Sequence, residues 1–473
     1  MIVHSVRCRL AAILCGAVLG SVHPGVAVSA KVVTYPRPPA EPPSDQYEVW
    51  VNGSAVDVYS ARTLDAPFAG KQWDYGGPYS FANFDMEGTV SVRVRSTQPV
   101  KDVVIRPRSA GIQAVILDAH TITLTLDRPR KLSIEPNGRR GPLLLFANPL
   151  EADVPDRNDK DVVYYGPGVH SAGKIEIRSG QTLYLAGGAI VKGGIQARGD
   201  NIQIRGRGIL DGSDWEWRKG PTPMVVDIES HNFLIEGITI RGASHWTIVP
   251  RHSSDVTIRN VKLCNSRVQN DDGINPCNSQ RVLISDCFIR SDDDCVAMKG
   301  LDYRDGANNN VEDITVEDSV LWCDRARIFL LGHESRAEFM RRITLRNLDI
   351  IHFTMTPFLF EPGEEMRLAE VVVQDVRLHG EGQRELIRLR PVVNQYMRKQ
   401  TPGSITDVLF QDVTLGGDPG GYAVQLVGAD DHHDIQGIRF HHVMVLDRPL
   451  TEQSDNLQRG EFVDRVDFAT GAP

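Results

Sequence analysis

The sequence predicts an all-β protein, a right-handed parallel β-helix preceded by a small β-sandwich. Two observations carry that prediction. From residue 232 a short unit of a polar residue, alternating Val/Ile/Leu and a central Asn, Asp or Gly returns along the chain. It reads N-F-L-I-E-G-I-T-I at Asn232, D-V-T-I-R-N-V-K-L at Asp255, R-V-L-I-S-D-C-F-I at Arg281 and D-I-T-V-E-D-S-V-L at Asp313. It continues as R-I-T-L-R-N-L-D-I at Arg342, E-V-V-V-Q-D-V-R-L at Glu370 and D-V-L-F-Q-D-V-T-L at Asp407. These starts lie 23, 26, 32, 29, 28 and 37 residues apart, the drifting period of a solenoid whose coils differ in their loops. Between Tyr47 and about Asn148, short apolar-polar alternations without helical periodicity describe a sandwich instead.

Composition agrees with a folded, water-facing chain. Of 473 residues, 41% are hydrophobic and 24% charged, which excludes a disordered chain or a polytopic membrane protein. The net charge is −9, and because residues 1–30 hold two Arg and no acid, the remainder carries 50 − 61 = −11. Nucleic acid and anionic membrane are disfavoured as partners.

Taken in order, Arg7 and Arg9 precede an apolar run from Leu10 to about Val22, with Val28-Ser29-Ala30 after it. Residues 1–30 read as a secretory signal peptide, which implies a secreted or periplasmic protein. Residues 31–46 are dense in proline and read as an extended linker. Residues 47–150 form the sandwich, with strands at Tyr47–Val51 and Ala55–Tyr59 around an Asn52-Gly53 turn, then at Thr89–Arg95, Val103–Arg106, Thr121–Leu126 and Lys131–Ile134. Residues 151–448 form the β-helix, whose early coils are visible from Gln181 and Asn201, and 449–473 a C-terminal tail. Beyond Cys8 and Cys15, the five cysteines Cys264, Cys277, Cys287, Cys295 and Cys323 lack paired zinc-site spacing and read as small buried apolar groups, with one or two disulfides open to an oxidising compartment.

The chemistry concentrates in two acidic turns, N-D-D-G-I-N-P from Asn270 and S-D-D-D-C-V-A-M-K-G from Ser291. From Asp272 to Asp293 is 21 residues, near one short coil, and adjacent coils lie about 4.8 Å apart. Stacked carboxylates raise each other's pKa, which yields a protonated acid beside an ionised base, as glycoside hydrolysis requires. A lone acidic turn would read as a calcium ligand or a solvated corner.

These two motifs resemble those of the polygalacturonase-like glycoside hydrolases, families 28 and 49, as Asn270-Asp271-Asp272 and Asp293-Asp294-Cys295. The stretch F-A-N-F-D-M-E-G-T-V from Phe81 is similar to the leading domain of family 49, the dextranase and isopullulanase group. The resemblance implies an inverting mechanism with Asp293 as general acid and Asp272 and Asp294 positioning and deprotonating water. Asn270 is expected to contact substrate, and Lys299, which follows the second motif, either binds a sugar hydroxyl or pairs with one of the aspartates. Asp271 and Asp292, on the alternate face, are assigned supporting roles.

Two departures bear on substrate. Aligned through Gly332, Arg327 takes the place of the family's motif histidine, and His333 lies beyond it. Where the family carries a cationic R-I-K motif, Thr356-Pro357-Phe358-Leu359-Phe360 offers no cation, although Arg388 and Arg390 follow one coil later. Trp246, beside His245, is either a sugar platform or core; Asp211 and Trp215 border the groove or form a D-G turn; G-R-G at Arg207 lacks the spacing of a phosphate loop. The expectation is a hydrolase of a neutral α-glucan such as dextran or pullulan, monomeric, without cofactor or metal. A pectin hydrolase of the polygalacturonase type is the runner-up, ahead of a polysaccharide lyase or a noncatalytic glycan-binding protein.

Overall fold

The computed structural model describes residues 30–64, 76–304 and 306–471. Residues 1–29, and with them the expected signal peptide up to its last residue, lie outside. Among the described residues the only helix is one 3-10 turn at Arg108–Ala110.

The first part of the chain builds two packed sheets. One joins Lys31–Thr34, Val58–Thr63, Gly77–Glu87, Val103–Arg106, Arg130–Pro136 and Leu143–Pro149; the other joins Tyr47–Val51, Ser54–Val56, Val90–Ser96, Val115–Asp118 and Thr121–Leu126. Their inner faces share one apolar core that includes Val49, Val92, Phe84, Leu124, Leu132 and Leu145. The Asn52-Gly53 turn forms as expected, with both residues at positive φ, 48° and 83°, the geometry a two-residue hairpin needs.

The expected linker at 31–46 is corrected here. Lys31–Thr34 is a strand paired antiparallel with Phe84–Glu87, because Val-Val-Thr at its start is β-branched and fits a pleated surface, and the prolines begin only after it.

From Val162 the chain winds as a parallel β-helix. Apart from Arg448–Pro449, which folds back antiparallel on Ile435–Val445, each strand pairs in parallel with its counterpart one coil on, through to Val463–Ala469, and the crossovers take the right hand that parallel connections adopt. The core runs the length of the stack, from Ile175 to Val463, with aromatic stacking at Phe410–Phe440 and Phe440–Phe468, 5.5 and 5.4 Å between centroids. Cys264, Cys277, Cys287, Cys295 and Cys323 are all buried and free, so the disulfide alternative falls to the packing one. The expected tail at 449–473 is also corrected: Leu457–Arg459 and Val463–Ala469 complete a last coil. Its V-D-R-V-D-F-A follows the same alternation, and the intervening loop hid it.

The polar residue that opens each sequence repeat is a corner. Asn232, Asp255, Arg281, Asp313, Arg342, Glu370 and Asp407 all have φ between 52° and 61°. The residue in the middle of the repeat is a second corner, at Gly237, Asn260, Asp286, Asp318, Asn347, Asp375 and Asp412. Gly, Asn and Asp tolerate this left-handed region best, which is why they recur there.

The sandwich lies along one flank of the helix. Tyr59, Tyr79, Phe81 and Phe146 pack on Ile190, Ile209, Phe288 and Trp322. Buried ion pairs cross the same contact: Asp85–Arg207 at 2.8 Å, Glu41–Arg241 at 2.6 Å, Arg139–Asp324 at 3.1 Å and Glu135–His352 at 2.8 Å.

Candidate active site

The two acidic turns meet where strands are shortest. Ile274 bridges in parallel to Ile248 on one side and Val296 on the other, which fixes the local register at 22 residues rather than the 21 read from the motifs. The backbone hydrogen bonds say the same. The N–H of Thr247 donates to Asp272 O at 2.8 Å, that of Gly273 to Asp294 O at 2.9 Å and that of Cys295 to Arg327 O at 3.0 Å. Met224 N–H makes the equivalent bond to Trp246 O at 3.1 Å. Trp246, Asp272, Asp294 and Arg327 therefore occupy one column on four successive coils, and Asp293 stands one residue before it.

Three carboxylates converge with unequal access to water. Asp272 and Asp294 are buried, whereas the Asp293 side chain is 18% exposed. Asp293 accepts a hydrogen bond at Oδ2 from Asn270 Nδ2, 3.1 Å, and one at Oδ1 from the Asp294 N–H, 3.1 Å. Asp294 Oδ1 accepts from the Arg327 N–H at 3.1 Å and lies 3.4 Å from its guanidinium, which stands 3.9 Å from Asp293. Asp272 accepts from Asn275 Nδ2 at 2.8 Å and faces Lys299 Nζ at 3.7 Å. Burial, and next the Asp294 charge, pushes the Asp293 carboxyl up to about 6. Burial and then the Asp293 charge push Asp272 well above the usual carboxylate range. The cluster thus holds a proton where separate carboxyls would all be ionised.

The neighbouring acids brace the turns from below, as their alternate position implied. Asp271 is fully buried and accepts the N–H groups of Ser266 and Asp292, each at 2.6 Å. Asp292 pairs with Arg325 at 2.6 Å.

Most of the other expected contacts gather around this cluster. Lys299 bridges Asp272 to Glu334, 2.9 Å away, and its ammonium lies 4.4 Å from the centre of the Trp246 ring. His245 stacks on the same indole at 5.4 Å, so Trp246 forms a wall of the groove already engaged by protein. His333 bonds Glu361 at 2.8 Å, and Glu361 also takes Arg390 at 2.9 Å. Arg388 stands in register one coil beyond Leu359, paired with Glu385 and 3.9 Å from Glu361. Ala297, Leu330 and Leu359, one above the other on successive coils, are thus a small buried apolar cluster, followed by cations tied to carboxylates.

Asp211 does not border the groove. It pairs with Arg241 at 2.6 Å beneath the sandwich and accepts the Ser213 N–H at 3.0 Å, the turn reading of its D-G. Sequence reasoning missed Glu334, Glu361 and Arg218. Glu334 adjoins the flagged His333 in G-H-E-S, and Arg218 sits in the W-E-W-R-K-G-P-T-P insert, whose two tryptophans mark a surface loop worth weighing. Among the described residues no group of three or more His, Cys, Asp or Glu is arranged to hold a metal ion.

Comparison with known proteins places these motifs. Residues 191–316 match the model of glycosyl hydrolases family 28, a span that contains both acidic turns and bears out the resemblance read from them. A probable polygalacturonase of Vitis vinifera is 34% identical over 109 residues, 21% of this chain and 21% of that protein; the matched region spans about a fifth of the relative's length. Among solved structures, Dex49A from Penicillium minioluteum superposes with a TM-score of 0.68 at 16% identity, covering 92% of this chain and 96% of its own. The family 28 exopolygalacturonase of Yersinia enterocolitica gives 0.51 at 13% identity, covering 87% and 97%. Both likenesses are of fold, and the first spans sandwich and helix together.

Proposed function

We propose that this protein is an inverting glycoside hydrolase that cleaves polysaccharide chains in the groove over Asp272, Asp293 and Asp294. The observation that carries the reading is the convergence of three carboxyls with unequal access: Asp293 reaches solvent, whereas Asp272 and Asp294 are buried behind it. Asp293 protonates the glycosidic oxygen as its bond to the anomeric carbon breaks. Asp294, held by the Arg327 N–H and guanidinium, and Asp272, opposite Lys299, orient a water whose oxygen bonds that carbon from the other face. The water's proton passes to this pair and is released from it to solvent, and Asp293 is reprotonated from solvent.

Replacing Asp293 with Asn removes the transferable proton and keeps the Asn270 contact geometry. Turnover should fall by about three orders of magnitude or more, with unchanged circular dichroism. Proton NMR of the first product should show the inverted anomer. Near-normal turnover in the variant, or retained configuration, would refute the assignment.

The sugar at the reacting position is proposed to be neutral, as in an α-glucan such as dextran or pullulan. Support comes from Arg388 and Arg390 being matched by Glu385 and Glu361. A uronate carboxylate desolvated there has no free cation to compensate it. The second reading is a polygalacturonase-type pectin hydrolase, favoured by Arg327 beside the acids and by the family 28 match. Relative kcat/KM on dextran, pullulan and polygalacturonate decides between them. Export to the periplasm or medium is proposed from the leader alone.

A further inference from the structure

The sandwich reaches the acidic turns as well as the flank of the helix. Strand Val58–Thr63 ends beneath them, and the next residue, Leu64, uses both of its backbone groups there. Its N–H donates to Ser266 O at 2.7 Å, and its carbonyl accepts from the Arg325 guanidinium. Beside it Thr63 Oγ1 accepts from Arg290 at 3.0 Å, and Tyr79 Oη donates to Asn265 O at 2.8 Å.

Two lines run from Leu64 to one residue of the second turn. By the first, Ser266 donates its N–H to Asp271, whose other carboxylate oxygen accepts the Asp292 N–H. By the second, Arg325 meets the Asp292 carboxyl at 2.6 Å through Nε, and its own N–H donates to Asp292 O at 3.1 Å. The Arg325 and Asp292 side chains are 3% and 0% exposed. Burial pushes the Asp292 carboxyl up, and Arg325 is the cation that opposes it. A contact buried this deeply is held in place, because moving either partner leaves the other uncompensated. Ser266 sits at φ 81°, a left-handed geometry that persists only where the surroundings over-determine it.

Asp292 immediately precedes Asp293 and points inward where Asp293 points to the groove. Fixing one therefore fixes the direction in which the other leaves the chain. Asp293 itself is held more loosely, by two hydrogen bonds of 3.1 Å on a side chain that reaches solvent. Its aim is set from behind.

We propose that Arg325 is a positioning residue for the general acid, and that the sandwich completes the active site by holding Arg325 and the Asp271–Asp292 contact from Leu64. This rests on the hydrolase reading and extends it: the three carboxylates all belong to the helix, whereas their aim is set from the sandwich.

The test is steady-state turnover of full-length variants on whichever of dextran, pullulan and polygalacturonate the unmodified protein cleaves. Arg325→Gln should lower kcat about a hundredfold and leave KM within about threefold, the signature of a misaimed group rather than of lost substrate contacts. Arg325→Lys keeps the charge but cannot hold Asp292 and the Leu64 carbonyl together, and should lose about tenfold; it gives the reading even if Arg325→Gln does not fold. In the Asp293→Asn background there is no proton to aim, so either Arg325 substitution should cost less than about twofold more. A merely structural role would lower both backgrounds by the same factor. Leu64→Pro, which removes the N–H to Ser266, should lower kcat about tenfold with the same insensitivity in the Asp293→Asn background. Near-normal kcat in the Arg325 variants, or equal losses in both backgrounds, overturns the positioning role, and unchanged kcat in Leu64→Pro overturns the part given to the sandwich. Both results leave the hydrolase reading standing. Near-normal turnover of Asp293→Asn alone is the separate result that sinks that reading and this inference with it.

Discussion

Arg327 favours the ionised form of Asp293 against burial and the Asp294 charge. Its guanidinium lies 3.9 Å from that carboxyl, a range at which a cation stabilises the charged state. The unmodified protein, with Asp293 at about 6, should lose kcat/KM as pH rises through 6, because the general acid deprotonates. Replacing Arg327 with Gln removes a stabiliser of the ionised form of Asp293, so the general acid titrates higher. The alkaline limb of the pH–kcat/KM profile should then move up by about one pH unit; a profile that keeps that limb and loses only height contradicts this. The residues involved were legible as motifs, but their register was not. A coil length of 22 rather than 21 residues is set by the bridge between Ile274 and Val296, and a motif cannot show on which residue a turn closes. Glu361 was illegible for a related reason: it reaches the site from a later coil, where nothing in local pattern marks it, whereas Glu334 was within reach through its neighbour His333.

At the scale of the coil, the corners carry a trade between backbone strain and charge. Down one edge of the stack the opening residues run Asp255, Arg281, Asp313, Arg342, Glu370 and Asp407, all left-handed. Arg281 reaches back to Asp255 at 2.7 Å and Arg342 to Asp313 at 2.6 Å. The side-chain contact offsets part of the cost of placing arginine where Asn or Gly is easier. Exposed pairs of this kind are worth ~0.2–1 kcal/mol each, comparable with the conformational penalty. Glu370 is exposed at φ 56°, and Arg342 opposite it turns towards Glu312 and Asp313. Glu370→Asn should therefore raise stability by ~0.5–1 kcal/mol, read from the midpoint of urea unfolding; an unchanged or lower midpoint would show that strain at this corner is already relieved. The repeat marked these positions by their polar residues, but only the backbone shows that they are corners. Lys31–Thr34 and the last coil were hidden because a proline-rich neighbourhood and a long loop mask short alternations.

For the molecule as a whole, sandwich and helix are joined by buried charge as well as by apolar area. Glu135 meets Arg106 at 2.9 Å and His352 at 2.8 Å, while Glu381 meets Arg139 at 2.7 Å and His352 at 2.9 Å. Burial alone would raise these carboxyls; His352 and the arginines outweigh it and hold both down to about 2. A depressed folded-state pKa contributes stability above the unfolded value, about 4.5, that is lost as pH falls through the folded one. The contact should therefore weaken between about pH 4.5 and 2, by a few kcal/mol. Hydrogen exchange of the sandwich strands as a function of pH checks it, and exchange that stays flat to pH 2 rules it out. Composition and alternation announced both parts of the fold. Their docking was not legible, because Arg207, Arg241 and His352 look like ordinary coil residues until the partner sheet is laid over them.

That docking also sets the mechanical character of the stack. A solenoid contacts itself only from coil to coil, so it bends and shears easily between turns. The ion pairs named above fasten one rigid plate to coils from Arg207 to Glu381, in the manner of a splint, and the groove over Asp272, Asp293 and Asp294 lies within the splinted length. Beyond Glu381 the last turns, closed by Val463–Ala469, carry none of those fastenings. Under tension from the C-terminal end they should peel away first, at low force and one turn at a time, while the splinted turns yield together in a single larger rupture.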